Sequence, residues 1–172
     1  ESTYASILSP YQGDQSPVKG AELLVHDEET GAVCVMVERE GVKDYVISAP
    51  QGGARDYGPV WLAGRFGFVS VSDDGHLQRA YLLDGTELIY QDVMLTLSSG
   101  STLLDVSEVS DRTFHLSEPV PEGAAPVGSC VLAGPTGYEV ESAGERSITV
   151  RDYPAIACDQ VTLLHAGEWV GK

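Results

Sequence analysis

The donor side chains best grouped for chemistry are His26, Asp27, Glu28 and Glu29, which follow an apolar run at residues 21–25. Imidazole with carboxylates suits Zn²⁺, and an acidic loop suits Ca²⁺. The spacing is that of neither a helix–loop–helix Ca²⁺ site nor a helical H-E-x-x-H pair. The cluster therefore reads as a polar turn, with no cofactor expected; Ca²⁺ and Zn²⁺ remain chemically open but unsupported. Asp73-Asp74-Gly75 reads first as a turn and second as a Ca²⁺ site. Glu38 and Glu40 would share a strand face, the arrangement of paired-carboxylate glycosidases, but they flank Arg39 where the strand ends. The chain has no G-x-S-x-G elbow, and the Ser-rich stretch at residues 97–101 is a glycine-containing turn. It also lacks a glycine-rich phosphate loop. His76, His115 and His165 stand singly in β-type runs, so no catalytic residue is nominated.

Candidate binding residues are of two kinds. Tyr4, Tyr11, Tyr57 and Trp61 lie in loop-like sequence, where exposed rings can stack on sugar faces or dock on another domain. Core packing is the competing explanation for each. Arg55, Arg65 and Arg79 are the nearest candidates for a cationic cluster. Such a cluster would be needed to hold an acidic polysaccharide, because 26 acids against 10 bases leave a net charge of −16. Nucleic-acid binders show the opposite balance, and an anionic membrane surface would repel the chain.

Cysteine usage argues against a zinc ribbon or a thioredoxin-type site, since Cys34, Cys130 and Cys158 form no C-x-x-C pair. Cys34 lies in the apolar run at residues 32–37 and reads as a small core residue. Cys130 and Cys158 could pair in an oxidising compartment; spacing does not settle whether they do. The chain contains no Asn, so N-glycosylation is excluded and left-handed turn positions fall to Gly and Asp. No run of 18 apolar residues is present, so no membrane span is expected. A first residue of Glu rather than Met suggests a processed protein or part of a longer one.

The elements that must position these side chains are short β-type runs separated by turn signals. Residues 21–26 and 32–38 read as a hairpin turning at Gly31, and a third strand, residues 44–49, follows a tight turn at Gly41. Residues 50–59 read as a loop. The stretch 65–71 has two apolar faces and reads as an inner strand. Residues 76–83 return from the acidic turn, Asp84-Gly85 is a tight-turn signal, and strands follow at 86–90 and 93–97. Further β-prone runs span 102–106, 113–116, 130–133, 137–140, 147–150 and 161–165. No segment has sustained helical periodicity. The expectation is an all-β, antiparallel β-sandwich of many short strands. One sandwich region covers residues 1–116, and residues 117–172 complete it or form a small β appendage.

Two stretches resemble the C-terminal β-region of heparinase II/III-like polysaccharide lyases. The first is YASILSPYQGD at residues 4–14. The second is GRFGFVSVSDDGHLQRAYLLDGTELIY at residues 64–90. With the strand KDYVISAP between them, the likeness spans the first half of the chain; nothing after Gly100 resembles the family. The resemblance implies a non-catalytic C-terminal β-sandwich supporting an N-terminal α/α-toroid of the same precursor, and with it the polysaccharide cleft. The family cleaves uronate polysaccharides by β-elimination. No residue here matches its catalytic motifs, so none is carried over. The alternative is an autonomous glycan-binding or cell-surface adhesion module. Either reading places the chain outside the cytoplasm, secreted or periplasmic.

Overall fold

The computed structural model describes residues 16–122, 129–154 and 157–171. The fold is all-β and antiparallel, with no helix among the described residues. The described residues divide into two compact units, one within residues 16–98 and 167–171 and the other within residues 99–166. The boundary expected at 116/117 falls inside the second unit, between two of its strands.

The first unit contains β1 (Val18–His26), β2 (Val33–Arg39), β3 (Val42–Ser48), β4 (Ala54–Tyr57), β5 (Val60–Ser72), β6 (Leu77–Tyr90), β7 (Val93–Thr96) and β14 (Ala166–Val170). They form one eight-stranded sheet ordered β1-β2-β3-β5-β6-β14, with β4 added to β5 and β7 to β6. The two expected hairpins are present: Gly31 has φ 70° between β1 and β2, and Gly41 has φ 74° between β2 and β3. Strand β5 is interior, pairing with β3, β4 and β6. The segment expected to be a loop, residues 50–59, contains β4.

Asp84-Gly85 does not make a hairpin. It lies inside a continuous 14-residue β6 and borders a bulge at Thr86, where the register with β5 shifts between Ala63 and Gly64. Asp84 takes the left-handed φ, 50°. A Cβ on Gly64 would lie 2.6 Å from Gly85 Cα, so the two paired strands approach most closely where neither carries a side chain. This close approach lets the β5–β6 ribbon fold over. Leu62 and Gly67 would be about 16 Å apart on a straight strand, yet a Cβ on Gly67 would meet Leu62 Cδ1 at 3.3 Å and Leu88 Cδ1 at 3.1 Å. One sheet thereby covers its own core, as in sandwiches whose corners are bulged strands. That core holds Cys34, Ile47, Tyr57, Leu62, Val69, Leu82 and Leu88.

The second unit contains β8 (Ser101–Ser110), β9 (Thr113–Leu116), β10 (Cys130–Ala133), β11 (Thr136–Gly144), β12 (Ser147–Val150) and β13 (Gln160–Leu164). These strands close into a barrel in the order β10-β11-β12-β9-β8-β13. Closure replaces the two facing layers of a sandwich here, because β13 bridges β10 and β8 and leaves no edge. Alternate residues point inward, filling the barrel with Phe114, Tyr138, Val140, Ile148, Val131 and Leu163. Phe114 and Tyr138 meet edge-to-face at 6.0 Å.

Candidate functional site

The nominated residues do not converge on one site. Tyr4 and Tyr11 lie outside the described residues. Tyr57, expected as an exposed loop ring, is 1% exposed and belongs to the core. The reason is that β4 pairs with β5, which turns Tyr57 inward opposite Val60. Burial raises its phenol pKa. Trp61 is half-buried on β5, and its Nε1–H donates to Glu87 Oε2 at 2.9 Å. Glu87 lies diagonally across on the same face of β6, so the indole is held by a cross-strand contact.

The three arginines do not form a free cationic cluster. Arg55 pairs with Asp27 at 2.5 Å and stands over the Tyr57 ring at 5.1 Å. Arg65 reaches the carboxylate of Asp84 at 3.4 Å, and Arg79 pairs across strands with Glu168 at 2.5 Å. Each charge already has a carboxylate partner within its own unit.

The acidic turn at residues 26–29 has a structural use. Asp27 Oδ1 accepts from the backbone N–H groups of Glu29 and Thr30, while Oδ2 accepts from Arg55. The Thr30 N–H first, and Arg55 next, lower its pKa from 3.8 to about 2. Among the described residues no group of three or more His, Cys, Asp or Glu side chains is placed to hold a metal ion. Asp74 Oδ1 accepts from Ser72 Oγ and so stabilises its own turn. Glu40 is exposed at the β2–β3 turn, and the neighbouring Arg39 chelates Asp44 with contacts of 2.5 and 2.9 Å.

One serine–histidine contact invites a catalytic reading and does not sustain it. Ser99 Oγ lies 3.0 Å from His165 Nδ1, and Thr102 Oγ1 lies 2.9 Å from Nε2. The Ser99 carbonyl oxygen is also 3.1 Å from Nδ1. A carbonyl can only accept, so Nδ1 carries the proton and cannot take one from Ser99. No carboxylate among the described residues pairs with the ring. The imidazole instead ties the start of β8 to the end of β13. All three cysteines are free thiols, Cys34 buried and the others half-buried, so Cys130 and Cys158 are not bridged.

The feature with the geometry of a site is a cleft of about 440 Å³ in the first unit, within the usual range for small-molecule sites. It is lined by His76, Leu77, Gln78, Gln91, Asp92, Val93, Trp169 and Gly171. The start of β6 and the turn that follows its end both contribute, although a straight strand of that length would hold them about 43 Å apart. The bend at Gly64 and Gly85 brings them together. No residue lining this cleft was nominated from sequence. Its parts lie at residues 76–78, 91–93 and 169–171, and only the bend joins them. The one available signal was Trp169, an aromatic near polar sequence. Comparison with protein-family models and with curated proteins finds no match to this chain.

Proposed function

We propose that this chain is a non-catalytic β-region of a polysaccharide-processing protein of the heparinase II/III-like lyase kind. In this reading it supports an α/α-toroid of the same precursor, outside the cytoplasm, and contributes contacts to a glycan. The observation that carries the reading is the extent of the resemblance. The described part of that half, residues 16–90, falls within the first compact unit, and the stretch without resemblance after Gly100 lies largely in the second. The polar chemistry is in keeping with a non-catalytic role: arginine side chains are largely spent on ion pairs that hold turns and strands together. The intact mass of the native polypeptide, captured from its source, tests the reading. A species several times larger than 18.3 kDa that releases unsaturated uronate products supports it. A large species inactive on uronate polymers, or one near the mass of this chain, counts against it.

The second reading, an autonomous glycan-binding or cell-surface adhesion module, is favoured by the cleft, which is complete within one unit. A native mass near that of this chain, together with glycan binding, would select it.

A further inference from the structure

We infer that the cleft formed by Gln78, Gln91, Asp92 and Trp169 is a binding site for a neutral saccharide. The inference rests on the glycan-contact part of the proposed function, not on the lyase parentage.

Two departures from regular β-geometry and one close backbone approach meet at this one opening. Gln78 is the extra residue of a bulge: Ser70 pairs with Arg79 and Val71 with Leu77, leaving Gln78 without a partner between them. Bulges of this kind re-aim a side chain. Gln91 takes φ 54° at the first position of the two-residue β6–β7 turn, a conformation that glycine adopts without cost. Gly171 closes the third side, where its N–H donates to Gln78 O at 2.8 Å. A Cβ there would press to 3.0 Å on Leu77 O. Strained or irregular backbone concentrated at one concavity is a mark of ligand clamps.

The side chains so placed have the chemistry of sugar recognition. Trp169 is half-buried, its ring packed partly on the core. Unlike Trp61, its indole N–H has no acceptor among the described residues. The ring supplies an apolar face for the C–H side of a pyranose. Two primary amides and one carboxylate can donate to and accept from adjacent hydroxyls. The Asp92 carboxylate has no protein donor among the described residues, and the contacts of the two amides are long, at 3.3 to 3.5 Å.

Charge selects the class of sugar. Among the described residues no Lys or Arg lines the cleft. Asp92 and the net charge of −16 disfavour a uronate or sulfated sugar. A neutral hexose or its oligomer meets no such penalty.

Trp61→Phe leaves Trp169 as the single tryptophan and thus the fluorescent reporter. Its emission is titrated with neutral oligosaccharides (glucan, mannan and galactan series) and with a uronate oligomer. We expect saturable quenching or enhancement at millimolar neutral sugar and a weaker response to the uronate. Asp92→Ala and Gln78→Ala should each weaken binding about tenfold, roughly the loss of one good hydrogen bond. Amide shifts in the unmodified chain should move at residues 76–78, 91–93 and 169–171, which keeps the test valid if a variant misfolds. No response to any neutral sugar, preference for the uronate, or shifts elsewhere on the chain would each overturn the assignment. None of these outcomes depends on whether the precursor is a lyase, which the mass and product assays address separately.

Discussion

Two side chains of the first unit show how far single residues determine its behaviour. Asp27 caps the β1–β2 turn and holds Arg55, and its pKa falls from 3.8 to about 2. A carboxylate depressed on folding contributes stability that is fully present above its unfolded pKa and is lost as pH falls through its folded one. We expect melting temperature to decline between about pH 4 and pH 2, with Asp27→Asn flattening part of that decline; thermal melts across a pH series measure it. Cys34 is fully buried, its Sγ donates to Tyr57 O at 3.7 Å, and burial pushes the thiol up to about 11. Thiolate is the reactive form. A thiol-selective reagent at mildly alkaline pH should therefore label Cys130 and Cys158 in the native protein, and Cys34 only on unfolding. Peptide mapping after each stage decides this, and early labelling of Cys34 would mean its core opens locally. The burial of Cys34 was legible from its apolar run. That of Tyr57 was not, because the glycines and prolines around it signal a loop as strongly as they signal the turns bounding a four-residue strand.

Strands set by local alternation were readable from sequence, and the connection that depends on a distant partner was not. Strands β10 and β12 occupy the expected residues, and β2 and β3 lie within two residues of expectation at each end. Asp-Gly supplies the left-handed backbone of either a hairpin turn or a bulge. What places it beside a bulge here is Ala63-Gly64 lying opposite, two strand lengths of chain away. Left-handed positions elsewhere follow the chain's lack of Asn, falling to glycine and to Asp84 and Asp111, with Gln91 the exception. Gly85→Ala tests the bend. The added Cβ would lie 2.7 Å from Ala63 O and Leu82 Cδ1 and 2.8 Å from Gly64 Cα. The nearest atoms are mostly backbone, so it cannot be absorbed by a rotamer change. We expect a loss of about 2–3 kcal/mol in denaturant unfolding, and amide shifts at both ends of β6, because the bend is what brings those ends together. Gln91→Gly should act in the opposite direction, gaining about 1 kcal/mol by relieving its left-handed φ.

At the scale of the whole chain, the balance of charge outweighs any individual pair. Acids exceed bases by 16, so folding concentrates carboxylates that the unfolded chain keeps further apart. Against this stand ion pairs such as Arg79–Glu168 and Arg151–Glu139, whose side chains are each more than 40% exposed. Pairs of that exposure contribute about 0–1 kcal/mol each. Salt weakens both effects, but not equally. The pairs are few and short-ranged, whereas the repulsion is shared by every unmatched carboxylate over a Debye length of about 10 Å at 0.1 M ionic strength. Relief of repulsion should win. We expect the melting temperature to rise as NaCl goes from near zero to about 0.5 M, steeply at first and then levelling as the screening length falls below the spacing between carboxylates. Replacing NaCl with an equal osmolarity of a neutral osmolyte should not reproduce the steep early rise, because only ions screen. A melting temperature that falls with NaCl would reverse the argument. It would mean that the arginine–carboxylate pairs, Arg39–Asp44 foremost because its carboxylate is only 10% exposed, hold the fold more strongly than the excess charge strains it.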